Sequence, residues 1–385
     1  MNLIFLSPAF PPTAPDFCAA LAARGVRVLG IGEEELRPEL AAACGLTHYV
    51  HEPRMGEDQV LHDTVKALRE RFGPIERVDS NGEHWLVAEA KLRDDFAIPG
   101  LSGAVLAQQR SKLGMAALFA QADVAYPPTV SAQDATAVRA LAKRYGYPLV
   151  FKPEYGSGAV DTFTVTSEGE LDVALEQEPF DKVVQPFIEG RIVTYDGLAD
   201  RDGEIVFSAS HVYDRGIMQV RRTHADGYYY SQRELPPGLE AVGRRSVAAF
   251  GLRERFFHVE FFQHPDGNFT ALEMNLRPPG GFTTDMMNAA GPLDVYALWA
   301  TVISGGAVTP IPFAPKYHTA HAGRRAGRHY AFSSEELRDK LGTTLLRERG
   351  VPPAFAATMG DAAFLLRHSS LPELQAAIAA VQALA

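Results

Sequence analysis

The chain has 385 residues, of which 46% are hydrophobic and 22% are charged, and its formal net charge is −10. This length exceeds one ordinary hydrophobic core, so two or three domains are expected. The composition is that of a soluble globular protein, and the negative charge argues against a broad nucleic-acid footprint. The two cysteines lack metal-ligand spacing, and the opening MNLIFLSPAFPP has neither a basic leader nor a membrane-spanning apolar run. We therefore predict a cytoplasmic protein with reduced thiols that binds neither nucleic acid nor membrane.

Short apolar runs alternate with helical patterns through the first hundred residues. The run LIFL, the helical pattern DFCAALAARG and the run VRVLGIG follow each other as strand, helix and strand. This order predicts a parallel α/β layer. The first strand-to-helix loop, SPAFPPTAP, contains no glycine, so the dinucleotide fingerprint is missing where it would have to lie. A nicotinamide-dependent oxidoreductase is therefore disfavoured.

Beyond this layer the pattern changes, and a boundary is predicted at IPGLSG near residue 100. The stretch LAQQRSKLGMAALFAQADV then predicts a helix, with Ser111 as a cap before Lys112. Helix, strand, glycine-rich turn and strand follow, and alternating runs with turn signals then predict antiparallel sheet. From about residue 311 an α+β segment runs to the end of the chain.

Two apolar runs flank the turn signal PDGN in HVEFFQHPDGNFTALEMNLRPPGG, and each run carries one glutamate. A tight Asp266-Gly267 turn, or a four-residue loop from Pro265 to Asn268, places Glu260 opposite Glu273. His258 then lies opposite Asn275, and all four side chains share one face because side chains alternate along a strand. Phe257, Val259, Phe261, Leu272 and Met274 are expected on the other face.

The opposed glutamates need an explanation, because like charges directly across a sheet destabilise it. One explanation is a shared proton between the two carboxyl groups. Another is a divalent cation such as Mg²⁺, for which Asn275 adds a neutral oxygen ligand. The bland alternative is that one glutamate faces solvent at a sheet edge, and the density of flanking phenylalanine and leucine argues against it.

A glycine-rich loop with a neighbouring lysine suggests a phosphate site. Lys152 ends the apolar run YPLVF and precedes a loop that contains Gly156, Ser157 and Gly158. Glycine lets backbone N–H groups approach phosphate, and lysine adds a point charge. The loop lacks the Gly-Lys-Ser/Thr of a Walker motif. The alternatives are a strand-end lysine with its amine in solvent and an ordinary hairpin.

Together these residues resemble the ATP-grasp superfamily of carboxylate–amine and carboxylate–thiol ligases, over roughly residues 100–310. The implied fold is mixed α/β and α+β. It has an N-terminal parallel α/β pre-ATP-grasp domain (1–105), an ATP-grasp domain (106–310) and a small C-terminal α+β segment (311–385). The ATP-grasp domain would divide into a small subdomain at about 112–188 and a large one at about 189–310. The whole arrangement resembles that of biotin carboxylase, although no biotin-attachment motif is present.

The resemblance also implies ligands for each group of residues. Lys112, Lys152, Gly156, Ser157 and Gly158 would contact the phosphates of ATP. The segment VVQPFIEG would bind adenine and ribose through Gln185, the backbone of Phe187 and Ile188, and Glu189. The pattern Glu…Glu-x-Asn-x-Arg would bind two Mg²⁺ ions, or Mn²⁺ in their place, through Glu260, Glu273 and Asn275, with Arg277 beside them.

The implied reaction is attack of a substrate carboxylate on the ATP γ-phosphate, which gives an acylphosphate and ADP. An amine, from an amino acid or a similar compound, then displaces phosphate. Such chemistry needs positioning and charge neutralisation, with Lys152 and Arg277 as the catalytic candidates. The absence of a Ser-His-Asp or Cys-His pattern agrees with it.

The substrate side is predicted less directly. Segment 213–235 is rich in arginine, tyrosine and histidine and is expected to be a loop, in which Arg221 or Arg222 pairs with a substrate carboxylate. Tyr228 to Tyr230, with Tyr230 as the substrate candidate, would wall the pocket. Gly280 and Gly281 would form an N–H nest for an anion near Arg277, and a solvated loop and a plain turn are the alternatives. His258 faces the site with its role open, and the pair His318 and His321 lacks further zinc ligands nearby.

Four functions remain in competition on the sequence. A carboxylate–amine ligase with small-molecule substrates leads, and a homodimer is compatible with it. A carboxylase or purine-pathway enzyme of the same fold comes second. A nucleotide-binding regulatory module without turnover is disfavoured by the intact metal and phosphate set, and an oxidoreductase by the missing fingerprint.

Overall fold

The computed structural model of the chain describes residues 1–156, 158–177 and 181–385. The N-terminal part forms a parallel sheet with the strand order β3-β2-β1-β4. Its strands are β1 (Asn2–Leu6), β2 (Arg27–Gly32), β3 (His48–His51) and β4 (Arg77–Asp79), and its helices are α1 (Ala14–Ala23), α2 (Pro38–Ala43), α3 (Asp58–Phe72) and α4 (Leu86–Phe96). Strand β1 is buried along its whole length, as expected for a parallel strand covered on both faces. The predicted parallel α/β layer is confirmed.

The next part is a small antiparallel sheet preceded by two helices. The helices are α5 (Gly103–Arg110) and α6 (Lys112–Gln121), followed by β5 (Val130–Ser131), α7 (Ala135–Tyr145), β6 (Leu149–Pro153), β7 (Phe163–Val165), α8 (Glu168–Gln177) and β8 (Lys182–Pro186). The strand order is β5-β8-β6-β7. The single helix predicted across Ser111 is wrong, because Ser111 ends α5 in an extended conformation and caps α6 by accepting the N–H of Gly114. The predicted cap itself is confirmed.

A large antiparallel sheet forms the centre of the molecule. It begins with β9 (Arg191–Ala199), β10 (Ile205–Ala209), β11 (His211–Tyr213), β12 (Tyr228–Ser231), β13 (Arg255–Gln263) and β14 (Phe269–Asn275). The helices of this part are α9 (Ile217–Thr223), α10 (Leu239–Ala249), α11 (Thr283–Ala290) and α12 (Val295–Ile303). In the described residues the sheet has nine strands. Their order is β14-β13-β9-β11-β12, followed by β15 (His318–Arg324), β17 (Ala362–His368) and β16 (Leu345–Gly350), with β10 paired to β9.

The C-terminal part continues this sheet and does not form a layer of its own. It consists of β15 (His318–Arg324), α13 (Ser334–Leu341), a 3-10 turn (Gly342–Thr344), β16 (Leu345–Gly350), α14 (Pro353–Met359), β17 (Ala362–His368) and α15 (Leu371–Gln382). Strand β15 pairs with β12 of the preceding part. The predicted C-terminal segment at 311–385 contains both helices and strands, and its strands extend the large sheet. This pairing joins strands far apart in sequence, which composition does not reveal.

The two faces of the large sheet differ in chemistry. One face packs on α6, α10 and α15 in the main hydrophobic core, which includes Val193, Val212, Phe257 and Val259. The other face carries the polar residues that form the candidate site. None of the helices in the described part of the chain is long and apolar enough to cross a membrane.

Buried ion pairs fix the N-terminal layer against strands β13 and β14. Glu89 on α4 accepts from Arg93 at 2.9 Å and lies 3.5 Å from the guanidinium of Arg255, the first residue of β13. Arg255 also donates to the carbonyl of Leu276, just beyond β14, at 3.0 Å. Removing one partner from such a network leaves an uncompensated buried charge. The network therefore holds the N-terminal layer beside the hairpin.

Candidate active site

The hairpin of β13 and β14 carries two opposed glutamates. Glu260 pairs with Glu273, and His258 pairs with Asn275, as predicted. Their face is polar, whereas Val259 and its neighbours on the other face are buried in the main core. The sequence pattern therefore placed both carboxylates at the right register.

The loop of this hairpin differs from the prediction. His264 and Asn268 close a three-residue loop, with the His264 N–H donating to the Asn268 carbonyl at 2.9 Å. Asp266 stabilises it by accepting the Asn268 N–H at 2.9 Å, and Gly267 has a φ of 85°. A bulge after Glu260 absorbs the one-residue difference, so Phe261 pairs with Ala271. Leu272, expected on the core face, is half-buried, and Ala271 takes its place in the core.

The two lysines that were predicted to contact phosphate, Lys112 and Lys152, interact electrostatically with these carboxylates. Lys112 is buried at the start of α6, and its Nζ donates to the Gly156 carbonyl at 2.9 Å. Burial, followed by the Lys112 ammonium, lowers the pKa of Lys152 to about 7, whereas Glu273 and Glu260 act to raise it. Four charged side chains from three parts of the sequence therefore interact electrostatically, namely Lys112, Lys152, Glu260 and Glu273.

The same set of residues suits a hard divalent cation. Burial raises the pKa of Glu273, and Glu260 raises it further, whereas Lys112 and Lys152 lower it. A cation between the carboxylates would relieve this repulsion. Glu260, Glu273 and the Asn275 Oδ1 supply the oxygen donors that Mg²⁺ prefers, so the residues fit the ion. Among the described residues, no group of three or more His, Cys, Asp or Glu side chains could hold a metal, and this set combines two carboxylates with one amide oxygen.

Arg277 lies beside the proposed metal ligands and is held by Glu83, which sequence reasoning missed. Its Nε donates to Glu83 Oε2 at 3.2 Å, and its other guanidinium nitrogens donate to the Pro278 carbonyl and, at 3.4 Å, to Asn275 Oδ1. Glu83 also accepts from Arg110, two residues before Lys112. Glu83 follows strand β4 at the carboxyl end of the parallel sheet, where ligand-binding loops usually lie. That position was the available signal.

His258 is held between two carboxylates. Its Nδ1 lies 2.6 Å from Asp196 Oδ1 and its Nε2 lies 3.1 Å from Glu260 Oε1. Burial alone would lower the pKa of His258, but the charge of Asp196 and the hydrogen bonds to both carboxylates raise it to about 9. His258 thus bridges Asp196 and Glu260, and these contacts fix the position of the Glu260 carboxylate.

Asp196 is the buried centre of this network and was also missed. Burial would raise its pKa, but His258 and His211 hold the pKa of Asp196 at about 2. His211 Nδ1 lies 2.7 Å from Asp196 Oδ2, and the Thr194 hydroxyl donates to the same oxygen at 2.6 Å. The signal was the alternation in RIVTYDGLAD, which puts Thr194 and Asp196 on one face of β9.

The segment predicted to bind adenine is strand β8 and the residues after it. Gln185 is buried, and its amide donates to the Thr129 hydroxyl at 2.7 Å. The Phe187 N–H donates to the Pro148 carbonyl at 3.0 Å. Ile188 is half-buried and Glu189 is exposed.

The glycine-rich loop joins β6 to β7 beside Lys112. Gly156 and Gly158 have φ values of 117° and 74°, the left-handed region that favours glycine. Ser157, the third predicted phosphate contact of this loop, lies outside the described residues.

Segment 213–235 is not the predicted loop. Residues 217–223 form α9 and residues 228–231 form β12, which pairs with β11 and β15. Tyr230 faces the main core and its hydroxyl accepts from Arg191 at 2.5 Å, so it does not wall the site. Tyr229 lies on the site face instead, stacked between Tyr213 and His321 with ring centroids 5.0 and 5.2 Å away. Three successive tyrosines show no alternation of polar and apolar residues, so the sequence pattern did not indicate a strand here.

The remaining substrate candidates lie around Tyr229 and α9. Arg221 is half-buried and Arg222 is exposed, and both lie in the last turn of α9. Gly281 has a φ of 66°, and an added Cβ would lie 2.2 Å from the Met359 Cε, whereas Gly280 faces open space. A side chain at Gly281 would therefore require the flexible end of the Met359 side chain to move.

Comparisons with known proteins agree with this architecture. No family model matches the chain. An L-arginine-specific L-amino acid ligase from Bacillus subtilis is 23% identical over 228 residues, which are 56% of this chain and 55% of that protein. The match thus spans about half the length of that relative.

Two solved structures extend the likeness to the whole chain. An L-amino acid ligase from Bacillus licheniformis has a TM-score of 0.75 at 17% identity, covering 97% of this chain and 95% of that chain. The biotin carboxylase domain of 2-oxoglutarate carboxylase from Hydrogenobacter thermophilus, solved with MgADP, ADP and bicarbonate, has a TM-score of 0.67 at 16% identity, covering 96% and 86%. The chain therefore has the ATP-grasp fold that these ligases share, as the sequence resemblance predicted.

Proposed function

We propose that the protein is an ATP-dependent carboxylate–amine ligase. The observation that carries the proposal is that Lys112 and Lys152 interact with Glu273 on the polar face that also carries Glu260 and Asn275. Basic groups for phosphate and oxygen ligands for Mg²⁺ are the two requirements of phosphoryl transfer from ATP. Two Mg²⁺ ions at this set, with Mn²⁺ as a substitute, are part of the proposal.

In the first step a carboxylate oxygen of the substrate attacks the γ-phosphorus of ATP, and the bond to the β,γ-bridging oxygen breaks. An acylphosphate and ADP form. Lys112 and Lys152 would hold the triphosphate and neutralise the charge that moves during transfer. The bound Mg²⁺ would supply further neutralisation of the phosphate oxygens. The bound substrates would compete with Glu83 for the guanidinium of Arg277, which would then bind the transferring phosphoryl group.

In the second step the amine nitrogen attacks the acyl carbon, and inorganic phosphate leaves. Gln185, Phe187, Ile188 and Glu189 are proposed to bind adenine and ribose, with the glycine-rich loop over the phosphates. Arg221, Arg222, Gly280 and Gly281 are proposed substrate contacts. The name of the Bacillus subtilis relative supports amino acids as the substrates, and we further propose a cytoplasmic enzyme that acts as a homodimer.

Incubation of the protein with Mg²⁺, ATP and pairs drawn from an amino-acid panel tests the proposal. We expect ADP and phosphate to appear only with the correct substrates, together with a new amide detected by mass spectrometry. ADP release that requires bicarbonate and yields a carboxylated product would favour a carboxylase. ATP binding without ADP release across the whole panel would favour a regulatory module and would contradict the ligase.

A further inference from the structure

His211 has a fixed orientation on the site face of β11. Its Nδ1 lies 2.7 Å from Asp196 Oδ2, and its backbone N–H donates to the Thr194 hydroxyl at 3.1 Å. An ionised carboxylate only accepts hydrogen bonds, so Nδ1 carries the hydrogen and a neutral ring keeps its lone pair on Nε2. A carboxylate that holds one imidazole nitrogen is the arrangement that orients a histidine for chemistry at the other nitrogen.

The Nε2 atom of His211 is buried and has no hydrogen-bond partner within the described ranges of the chain. Buried polar atoms almost always have a partner, so this acceptor needs a donor that the described residues do not supply. A substrate N–H group would satisfy it. The proposed function contains such a donor, because its second step consumes an amine.

The position of His211 agrees with a role in that second step. On one side, His211 pairs with Ser231 of β12. On the other side it contacts Thr194 of β9, which in turn pairs with Glu260 of β13. Two strand spacings, roughly 10 Å, therefore separate His211 from the strand that carries Glu260. A substrate whose carboxylate reacts beside Glu260 could present its acyl carbon to an amine lying between the two positions.

Two other histidines on this face are less suited to accept a proton. Both ring nitrogens of His258 are engaged by carboxylates. His321 also has a buried nitrogen without a partner, but its Nε2 contacts only the Met359 carbonyl, and burial lowers the pKa of His321 to about 4. Unlike these two, His211 has a carboxylate on one ring nitrogen and, within the described residues, a buried nitrogen without a partner on the other.

We propose that His211, oriented by Asp196, is the general base that deprotonates the attacking amine. The inference rests on the proposed function. As the nitrogen lone pair forms the bond to the acyl carbon, the N–H proton moves to His211 Nε2. The bond from the acyl carbon to the phosphate oxygen then breaks, and phosphate leaves with that electron pair. Thr194 is a positioning residue in this account, because it acts through Asp196 and the backbone of His211.

Hydroxylamine provides a test that separates the two steps. It is unprotonated at neutral pH and attacks an acylphosphate without a base, giving a hydroxamate. In His211→Asn the amide nitrogen can still donate to Asp196, but the base is gone. We expect amide formation to fall by about 10²–10⁴-fold while hydroxamate formation stays within about threefold of wild type. His264→Asn, at the far end of the hairpin, is the matched control and should change neither rate.

Parallel loss of both products in folded His211→Asn, or unchanged amide formation, would overturn the role of His211. If His211→Asn does not fold, as judged by circular dichroism, His211→Gln is measured with the same pair of nucleophiles and under the same criteria. Absence of both products from the wild-type protein with every acid tested would instead contradict the proposed ligase function.

Discussion

The hairpin β13–β14 and the segment from β11 to β12 lie on the same sheet and contribute to the same polar face, yet they obtain their chemistry differently. In the hairpin, the functional partners are neighbours in sequence, since Glu260 and Glu273 are joined by one short loop. In the β11–β12 segment, His211 depends on Asp196 from β9, and Tyr229 depends on Tyr213 and His321 from two flanking strands. The partners within a hairpin can be deduced from the alternation of polar and apolar residues and from the turn. Partners that lie on strands distant in sequence can be identified only when the strand order is known.

The largest expected effect concerns the hairpin. In Glu273→Gln the shape of the side chain is kept but one metal-binding charge is lost, so we expect ATP consumption to fall by about 10³-fold or more. Glu240→Gln, on the exposed part of α10, makes the same chemical change outside the site and serves as the control. A coupled assay of ADP production measures the activity of both variants. Wild-type turnover in Glu273→Gln would contradict the assignment of Glu273 as a metal ligand.

A pair of tyrosine variants compares the two faces of β12. Tyr230→Ala removes a ring from the main core, so we expect the free energy of unfolding to fall by about 3–5 kcal/mol. Tyr229→Ala removes a ring from the site face, where it stacks on His321, and should raise the KM for substrate as well as reduce stability. Urea unfolding and steady-state kinetics distinguish them. A KM increase confined to Tyr230→Ala would reverse the assignment of the two faces.

Lys152 allows a prediction about protons. Because burial lowers the pKa of Lys152 to about 7, most of this amine is neutral at pH 8 in the free protein. The negative charge of bound ATP raises that pKa, so binding should take up a proton from the buffer. Calorimetric titration in buffers with different ionisation enthalpies measures the uptake. Lys152→Met should show less uptake than the wild type, and equal uptake would indicate that another group titrates.

The smallest effect is expected for Tyr230→Phe. This change keeps the ring in the core and removes only the hydroxyl that accepts from Arg191. We expect the free energy of unfolding to fall by about 0.5–1.5 kcal/mol with unchanged substrate KM. A loss of activity larger than the loss of stability would mean that the hydroxyl reaches the site after all.

The sequence predicts the parallel N-terminal layer, the ATP-grasp fold and the register of the two glutamates because each depends on short-range patterns. The hairpin shows the limit even there: a three-residue loop and a bulge replaced the tight turn, and their effects cancelled at Glu260. Tyr230 was misplaced because three successive tyrosines look alike whichever face they occupy. The sequence marks Asp196 by the alternation of β9 and Glu83 by its place after β4, but only strand pairing and the contact between the domains show which residues they bind.

One measurement tests the central claim most directly, namely that Glu260, Glu273 and Asn275 bind Mg²⁺ together with ATP. Thermal unfolding of wild type and Glu273→Gln is compared in EDTA and in Mg²⁺ with a non-hydrolysable ATP analogue. For the wild type at 100-fold excess over the dissociation constant, the account predicts stabilisation by about 2.7 kcal/mol in the presence of Mg²⁺. For Glu273→Gln it predicts that most of this Mg²⁺-dependent stabilisation is lost. Equal Mg²⁺-dependent stabilisation of the two proteins would contradict the account.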